Sequence, residues 1–549
     1  MLRSKKSSTF AAIMRVKVLH ISLLLLFVPL VAIGQDKIMV IADPHVMASS
    51  LVEQGTAFDS MLSGERKMLD VSEEAFAALV DTALLYKPSL VLISGDLTKD
   101  SELASHDVVV AQLNCLEQAG IPVLVVPGNH DIGGMAYAYF GEDKVVVESL
   151  KDCDWESKYA KVYARVIAKD PYSHSYVAEP LNGVTILGID GGREGRVSNE
   201  SLEWLLNQAD NARVKGRVII AMCHWQVLEH VDEGGVTGDS NRLLDADVIR
   251  DGLMAHGVRV LLTGHVHVNS ISTYRDTLTM SGDSIVEVST GSPITYPCSY
   301  RWLTISADRS QLSIQTESLS VLAEYNDLQS YSREWMKEHV KNMIPAVSIG
   351  LFDRASEVMT DMIEVMMQGQ PMGSVVIAML NKCLPQTDEE KINIVKKYLE
   401  NALVDLYLLH SEANEPEHPD AESLAQAMYV GMEKMVRELT DDVLKNYKQL
   451  QDQLVTAVLN MNKVPIQSLV EDRTHLTSIY NSDRTDDLHV DLVVNESRCT
   501  TSLENLSNDE SVVMIHDVLG RSSAGIMHKG LYIENGKKII KKIIYNESI

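Results

Sequence analysis

Five short polar islands hold the residues of this chain that could do chemistry: Asp43-Pro44-His45, Gly95-Asp96, Gly128-Asn129-His130-Asp131, His224 and Gly264-His265-Val266-His267. Seven of these residues are metal-ligand types: Asp43, His45, Asp96, Asn129, His224, His265 and His267 offer carboxylate or amide oxygen and imidazole nitrogen. None offers a thiolate, so the set points away from a cysteine-rich structural zinc site and towards an open catalytic site for Mn, Fe, Zn or a similar divalent ion. Seven donors are too many for one such ion. A pair of ions roughly 3.5–4 Å apart, bridged by a shared carboxylate, uses them better.

Each island begins where an apolar run ends: Ile38–Ala42, Leu90–Ser94, Val123–Val126, Val218–Met222 and Val258–Leu262. These β-branched and Leu-rich runs read as buried strands. The helical periodicity between them suggests an α/β layout, a sheet covered by helices on both faces. The carboxyl ends of such strands form one rim, where α/β proteins place their sites, so the five islands can face one another. Gly95, Gly128 and Gly264 fall where the chain must turn beside the ligands, and a residue without Cβ permits unusual dihedrals and close approach.

The order Asp-x-His, Gly-Asp, Gly-Asn-His-Asp, His, Gly-His-x-His resembles the calcineurin-like metallophosphoesterase superfamily, and the match in order is complete. The resemblance implies an α+β sandwich of mixed β-sheets flanked by helices. It implies Asp43, His45 and His267 on a first metal, Asn129, His224 and His265 on a second, and Asp96 bridging them. It further implies that His130 contacts the phosphoryl group or the leaving oxygen, that the Asp131 position orients it, and that two divalent ions activate a bridging water for phosphoester hydrolysis. The fourth island departs from the pattern. Cys223-His224-Trp225-Gln226 keeps the ligand but not the His or prolines that often follow it, so Trp225 is either a pocket wall or a packing aromatic.

The chain of 549 residues is 45% hydrophobic, ample for two or three domains. Its formal net charge of −27 argues against nucleic-acid binding by overall field, because phosphate contacts need clustered Lys and Arg. Lys5, Lys6, Arg15 and Lys17 precede an apolar run from Ile21 to Ile33, broken by Pro29, which reads as a signal peptide (residues 1–34) cut after Gly34, with Met1 or Met14 as the start. The run is too short for a stable membrane span. The chain is therefore expected to be exported, to the periplasm or beyond. Six scattered cysteines permit disulfides without making a disulfide framework.

Residues 35–320 read as the catalytic domain, with a helix over Ser72–Tyr86 capped by Ser72, a loop through Gly64-Glu65-Arg66 overhanging the site, and strands at Ile285–Ser289, Trp302–Ser306 and Leu312–Gln315. A Tyr-rich insertion over residues 132–180 could stack a base, although tyrosines packing a cap are the commoner case. Residues 321–480 switch to a 3.6-residue period and read as a helical bundle with helices Leu328–Met343, Leu351–Met367, Ser374–Cys383, Glu389–His410, Ala421–Leu439 and Asp441–Asn460. Thr387-Asp388-Glu389-Glu390 looks like a capping box. An appended bundle behind such a catalytic domain resembles the exported bacterial class III cyclic-nucleotide phosphodiesterases of the superfamily.

Residues 484–549 alternate like strands and form a small β tail. The order Asp517-Val518-Leu519-Gly520-Arg521, Lys529-Gly530-Leu531-Tyr532-Ile533, Gly536-Lys537-Lys538 resembles the C-terminal sorting domain of type IX secretion cargo in Bacteroidetes, which implies secretion machinery as a partner and an outer-surface or extracellular location. Three functions fit these readings. The first is a phosphodiesterase, with 3',5'-cyclic nucleotides among the candidate small phosphoester substrates. The second is a phosphomonoesterase or nucleotidase on the same metals. The third is a non-catalytic surface binding protein, which would not require all seven ligands.

Overall fold

The β-branched runs form strands because their side chains pack on both faces, and Ile38 to Ile41, Leu90 to Ile93 and Val218 to Met222 are all buried. The computed structural model describes residues 34–494 apart from 229, 231–240, 277–282, 367–374, 376–377, 380–381, 383, 414–419, 446 and 472–486, together with 515–517, 522–523, 530–534 and 537–541. The leader reading, bar Gly34, lies outside these residues, as do most of the proposed helix Ser374–Cys383 and much of the sorting-domain motif.

Two large sheets are present where periodicity alone suggested one. The first has the strand order His489–Val493, Gln311–Ser318, Ser299–Ile305, Asp36–Ile41, Leu90–Ile93, Val123–Val125, with the last three parallel. The second runs Ser270–Arg275, Ser284–Ser289, Val260–Thr263, Val218–Cys223, Val184–Ile189, Tyr176–Leu181, Val166–Lys169, and its parallel core is formed by the second to fifth of these strands. One buried cluster draws Ile38, Leu92 and Val125 from the first sheet and Ile186, Ile220 and Leu262 from the second. The sheets therefore stack face to face, with helices outside, as the family resemblance implied and a single helix-covered sheet did not. Tyr176 crosses between them, its hydroxyl donating to Val125 O at 2.9 Å.

The Tyr-rich insertion is structured rather than a loop. It supplies the strands Tyr137–Phe140 and Asp143–Val146 and the last two strands at one end of the second sheet. Tyr139, Tyr159 and Tyr176 are buried, whereas Tyr172 is 65% exposed beside a cavity of about 740 Å³ that His174, Asp190 and Arg196 also line. The helix Ser72–Tyr86 forms as expected, but Val71 is its N-cap, and the Ser72 hydroxyl donates to Leu69 O and accepts from Met47 N.

Beyond residue 327 the helices Leu328–Met366, Asp388–Glu412, Ala421–Leu444 and Lys448–Glu471 pack in succession, and the first also meets the last. Their shared core holds Met359, Leu399, Met428, Met432 and Met435. The first helix runs through Pro345 where two helices were expected; a proline removes one backbone donor, and packing on the neighbouring helix can hold the ends together. The Thr387–Glu390 capping box is present, with each side chain bonding the other residue's backbone. The strand His489–Val493 leaves the tail and pairs with Gln311–Ser318 at the edge of the first sheet. No helix among the described residues is long and apolar enough to cross a membrane.

Candidate metal centre

The five islands meet where the carboxyl ends of the two sheets face one another. Asp43 and Asp96 follow strands of the first sheet, and Asn129 follows its edge strand Val123–Val125. His224 follows Val218–Cys223, and His265 and His267 follow Val260–Thr263 of the second. The seam is stitched by hydrogen bonds: His265 N donates to the Asp43 carboxylate at 3.0 Å, and His224 Nδ1 donates to Ser94 O at 3.0 Å.

Asp43, His45, Asp96 and His267 offer ligand atoms that all lie within 4.8 Å of one another, and so do Asp96, His224 and His265. Asp96 belongs to both groups. Asn129 joins the second, its Oδ1 lying 2.9 Å from His224 Nε2 and 3.0 Å from His265 Nδ1. The structure thus brings all seven residues together in two overlapping sets.

Backbone strain accompanies this convergence. Asp43, His45, Asp96, His265 and His267 have φ of 51°, 40°, 49°, 73° and 64°, in the left-handed region that costs a residue with a Cβ roughly 1 kcal/mol or more. Gly95 also needs a positive φ, of 88°. Gly128 and Gly264 are required instead by close approach, since a Cβ would lie 2.2 Å from Asp96 Oδ1 or 2.4 Å from Asp43 Oδ2.

The electrostatics suit a cation. His45 Nε2 and His267 Nε2 face each other at 3.0 Å, and the Nδ1 atoms of both rings are buried without a hydrogen-bond partner among the described residues. Burial pushes the Asp43 carboxyl up to about 8, and burial followed by the charge of Lys67 holds His45 well below the usual histidine value. Burial also works to raise Asp96, but the charges of His224 and His45 outweigh it and hold that carboxylate well below its ordinary range. Electron-pair donors crowded out of contact with water are stabilised by a positive ion between them, so these residues fit divalent metals.

His130 stands at the edge of the ligands, its side chain 31% exposed and its backbone N donating to Asp96 Oδ1 at 2.9 Å. The carboxylate on its ring is that of Asp100, with Oδ1 2.8 Å from His130 Nδ1. This corrects the reading of Asp131 as the orienting residue. The Asp131 carboxylate is buried behind the island and accepts from Thr98 N at 2.9 Å and Gly128 N at 2.8 Å, so it shapes the loop. Behind it, His106 Nε2 donates to Asp131 O at 2.9 Å and His106 Nδ1 accepts from the Tyr159 hydroxyl at 2.6 Å. Neither Asp100 nor His106 carried a motif signal, and Asp100 could have been singled out only by its nearness to Asp96.

Trp225 lies against a candidate ligand, its ring centroid 3.9 Å from that of His265, while its indole donates to Gly192 O at 2.9 Å. His230 is set apart from the seven, near Ser270 and Glu287. Cys115, Cys153, Cys223 and Cys298 are free thiols.

Residues 36–269 match the family described as Calcineurin-like phosphoesterase. A probable cyclic nucleotide phosphodiesterase of Psychrobacter sp. (strain PRwf-1) is 25% identical over 241 residues, covering 40% of this chain and 60% of that protein. One from Synechococcus sp. is 26% identical over 187 residues, covering 33% of this chain and 58% of its own length. The match therefore spans about three fifths of the curated relatives. Among solved structures, a dimetal phosphatase from Danio rerio aligns over 52% of this chain and 96% of its own at 13% identity and a TM-score of 0.37. A purple acid phosphatase from yellow lupin aligns over 52% of each chain at 13% identity and a TM-score of 0.35.

Proposed function

We propose that this chain, whose residues 36–269 match the Calcineurin-like phosphoesterase family, is a metal-dependent hydrolase that uses two divalent ions to cleave phosphodiesters, with 3',5'-cyclic nucleotides as the first substrates to test. The observation that carries the proposal is the sharing of Asp96 between two groups of ligand atoms, one containing Asp43, His45 and His267 and the other His224 and His265, with Asn129 beside the second. Two divalent cations, when bound, would supply charge for the phosphoryl oxygens and an activated water.

The chain's own residues do the rest. Burial works to lower the His130 imidazole, but its hydrogen bond to Asp100 and the charge of Asp96 overcome this and raise it above the ordinary histidine value. Asp100 is itself held down to about 2, against burial, by its bonds to His130 and Lys99, so it stays a carboxylate. The Asp100–His130 pair therefore holds a proton on Nδ1 and leaves Nε2–H to protonate a leaving alkoxide. Asp131 and the buried His106 keep the loop that presents His130 in place.

Diesters rank ahead of monoesters because the relatives from Psychrobacter and Synechococcus are named probable cyclic nucleotide phosphodiesterases. The basic and then apolar residues 15–34 support export, and the terminal order of residues 517–538 supports passage across an outer membrane. The test is turnover of bis(p-nitrophenyl) phosphate and p-nitrophenyl phosphate by the purified chain with Mn²⁺, beside Asp96→Ala. A faster diester reaction, lost in the variant, is expected. Preference for the monoester moves the reading to a phosphatase, and metal binding without turnover of either ester defeats it.

A further inference from the structure

The segment from Gly64 to Met68 is tied to the loop beside Asp43 and carries two cations, Arg66 and Lys67, in a chain whose net charge is −27. Lys67 is only 9% exposed. Among the described residues its ammonium makes no hydrogen bond, and the carboxylate facing it is Glu65, at 3.7 Å, beyond hydrogen-bond reach. A buried ammonium left in this state is costly unless something else completes its shell.

Its position is fixed by the backbone on either side. Met68 N donates to Ile294 O at 2.8 Å, and two residues before Ile294 the Ser292 hydroxyl donates to Asp43 O at 2.7 Å. Met68 and Leu69 are buried in the main core, and Ser72 accepts from Met47 N, two residues past His45. Lys67 therefore hangs from the same staples that hold Asp43 and His45. These bonds place its backbone on the side of the centre formed by Asp43 and His45.

Arg66 is held from the other side. Its guanidinium meets the Tyr407 hydroxyl on the helix Asp388–Glu412 and lies 6.0 Å from the Tyr407 ring centroid. The ligand carboxylates Asp43 and Asp96 cannot balance two divalent ions, and two further cations beside them enlarge the excess. An anionic phosphoryl group would reduce it.

We propose that Lys67 forms the anion-binding subsite of this centre, gripping a non-bridging oxygen of the substrate's phosphoryl group, with Arg66 held beside it by Tyr407 of the helical region. The proposal rests on the phosphoesterase reading and names how that site would recognise its substrate. It also assigns the helical region a part in the site, through one side chain.

The test is inorganic phosphate binding, followed by calorimetry on the Mn²⁺-loaded full chain, together with KM for bis(p-nitrophenyl) phosphate. Lys67→Met is expected to keep its bound Mn²⁺ and its melting temperature, to weaken phosphate about tenfold or more, and to raise KM in step. Lys67→Arg should restore most of the affinity, and Tyr407→Phe should weaken it only a few-fold. Lys67→Gln, which keeps a polar tip, replaces Lys67→Met if that variant does not fold. Phosphate affinity equal to wild type in either neutral variant overturns the proposal. Wild-type protein that binds Mn²⁺ and phosphate but hydrolyses neither ester defeats the phosphoesterase reading alone, since phosphate affinity still tests Lys67.

Discussion

The metal rim and the helical region are built on opposite rules. At the rim, charged and polar side chains are buried, five candidate ligands sit at positive φ, and each depends on neighbours brought from distant parts of the chain. In the helical region, Met428, Met432 and Met435 fill a core at helical spacing, and polar groups such as those of the Thr387 capping box serve their own helix. The rim trades local backbone stability for convergence, whereas the helices follow local preference except at Pro345. The difference predicts that a rim substitution damages function first and a helical substitution damages stability first.

The largest effect is expected from Asp96→Ala, which removes the donor common to both ligand sets. Turnover should fall roughly 10³-fold or more, with metal content reduced, as read by ester hydrolysis and elemental analysis. Met432→Ala, by contrast, should cost about 3 kcal/mol in urea unfolding and leave turnover of the folded protein unchanged. An equal loss of turnover in both variants would break the comparison.

His106 sharpens it from the acid side. Burial lowers this imidazole from its ordinary value to about 4, so the unfolded chain takes up a proton that the folded chain refuses. Stability from this group is complete above about pH 6.5 and is lost as the pH falls towards 4, by about 3 kcal/mol. Denaturant midpoints across that window should fall less steeply for His106→Gln than for wild type.

Asp100→Asn should keep the metals and lower kcat about tenfold to a hundredfold, with its basic limb moved to lower pH, because His130 loses the charge that holds its proton. An unchanged pH profile would leave Asp100 a merely structural neighbour. The smallest effect is expected from Thr387→Ala, about 1 kcal/mol of stability with no change in turnover.

Asp100 and Lys67 show why part of the site was not legible. The seven ligand types stand out because each ends an apolar run and their order matches a known pattern. Asp100 is one acid among 76 Asp and Glu, and Lys67 is one of 49 Lys and Arg, so neither type nor spacing separates them. Each is singled out only by where the chain path leaves it. Asp131 misled for a related reason: adjacency in sequence suggested contact with His130, but successive residues in a turn point in different directions.

What the sequence determined by itself is whatever short-range physics controls. Apolar runs of β-branched residues specify strands, a 3.6-residue period specifies helices, Thr387 and Glu390 specify a cap, and the islands at strand ends specify the chemistry of the ligands. The tertiary structure decided the pairings that loop closure over long separations leaves open. These include the division into two stacked sheets, the docking of His489–Val493 beside Gln311–Ser318, the burial of Tyr139, Tyr159 and Tyr176, and the meeting of Arg66 with Tyr407. A strand's unpaired edge or a loop's charge accepts many partners of equal local merit, and only the packing of the whole chain selects one.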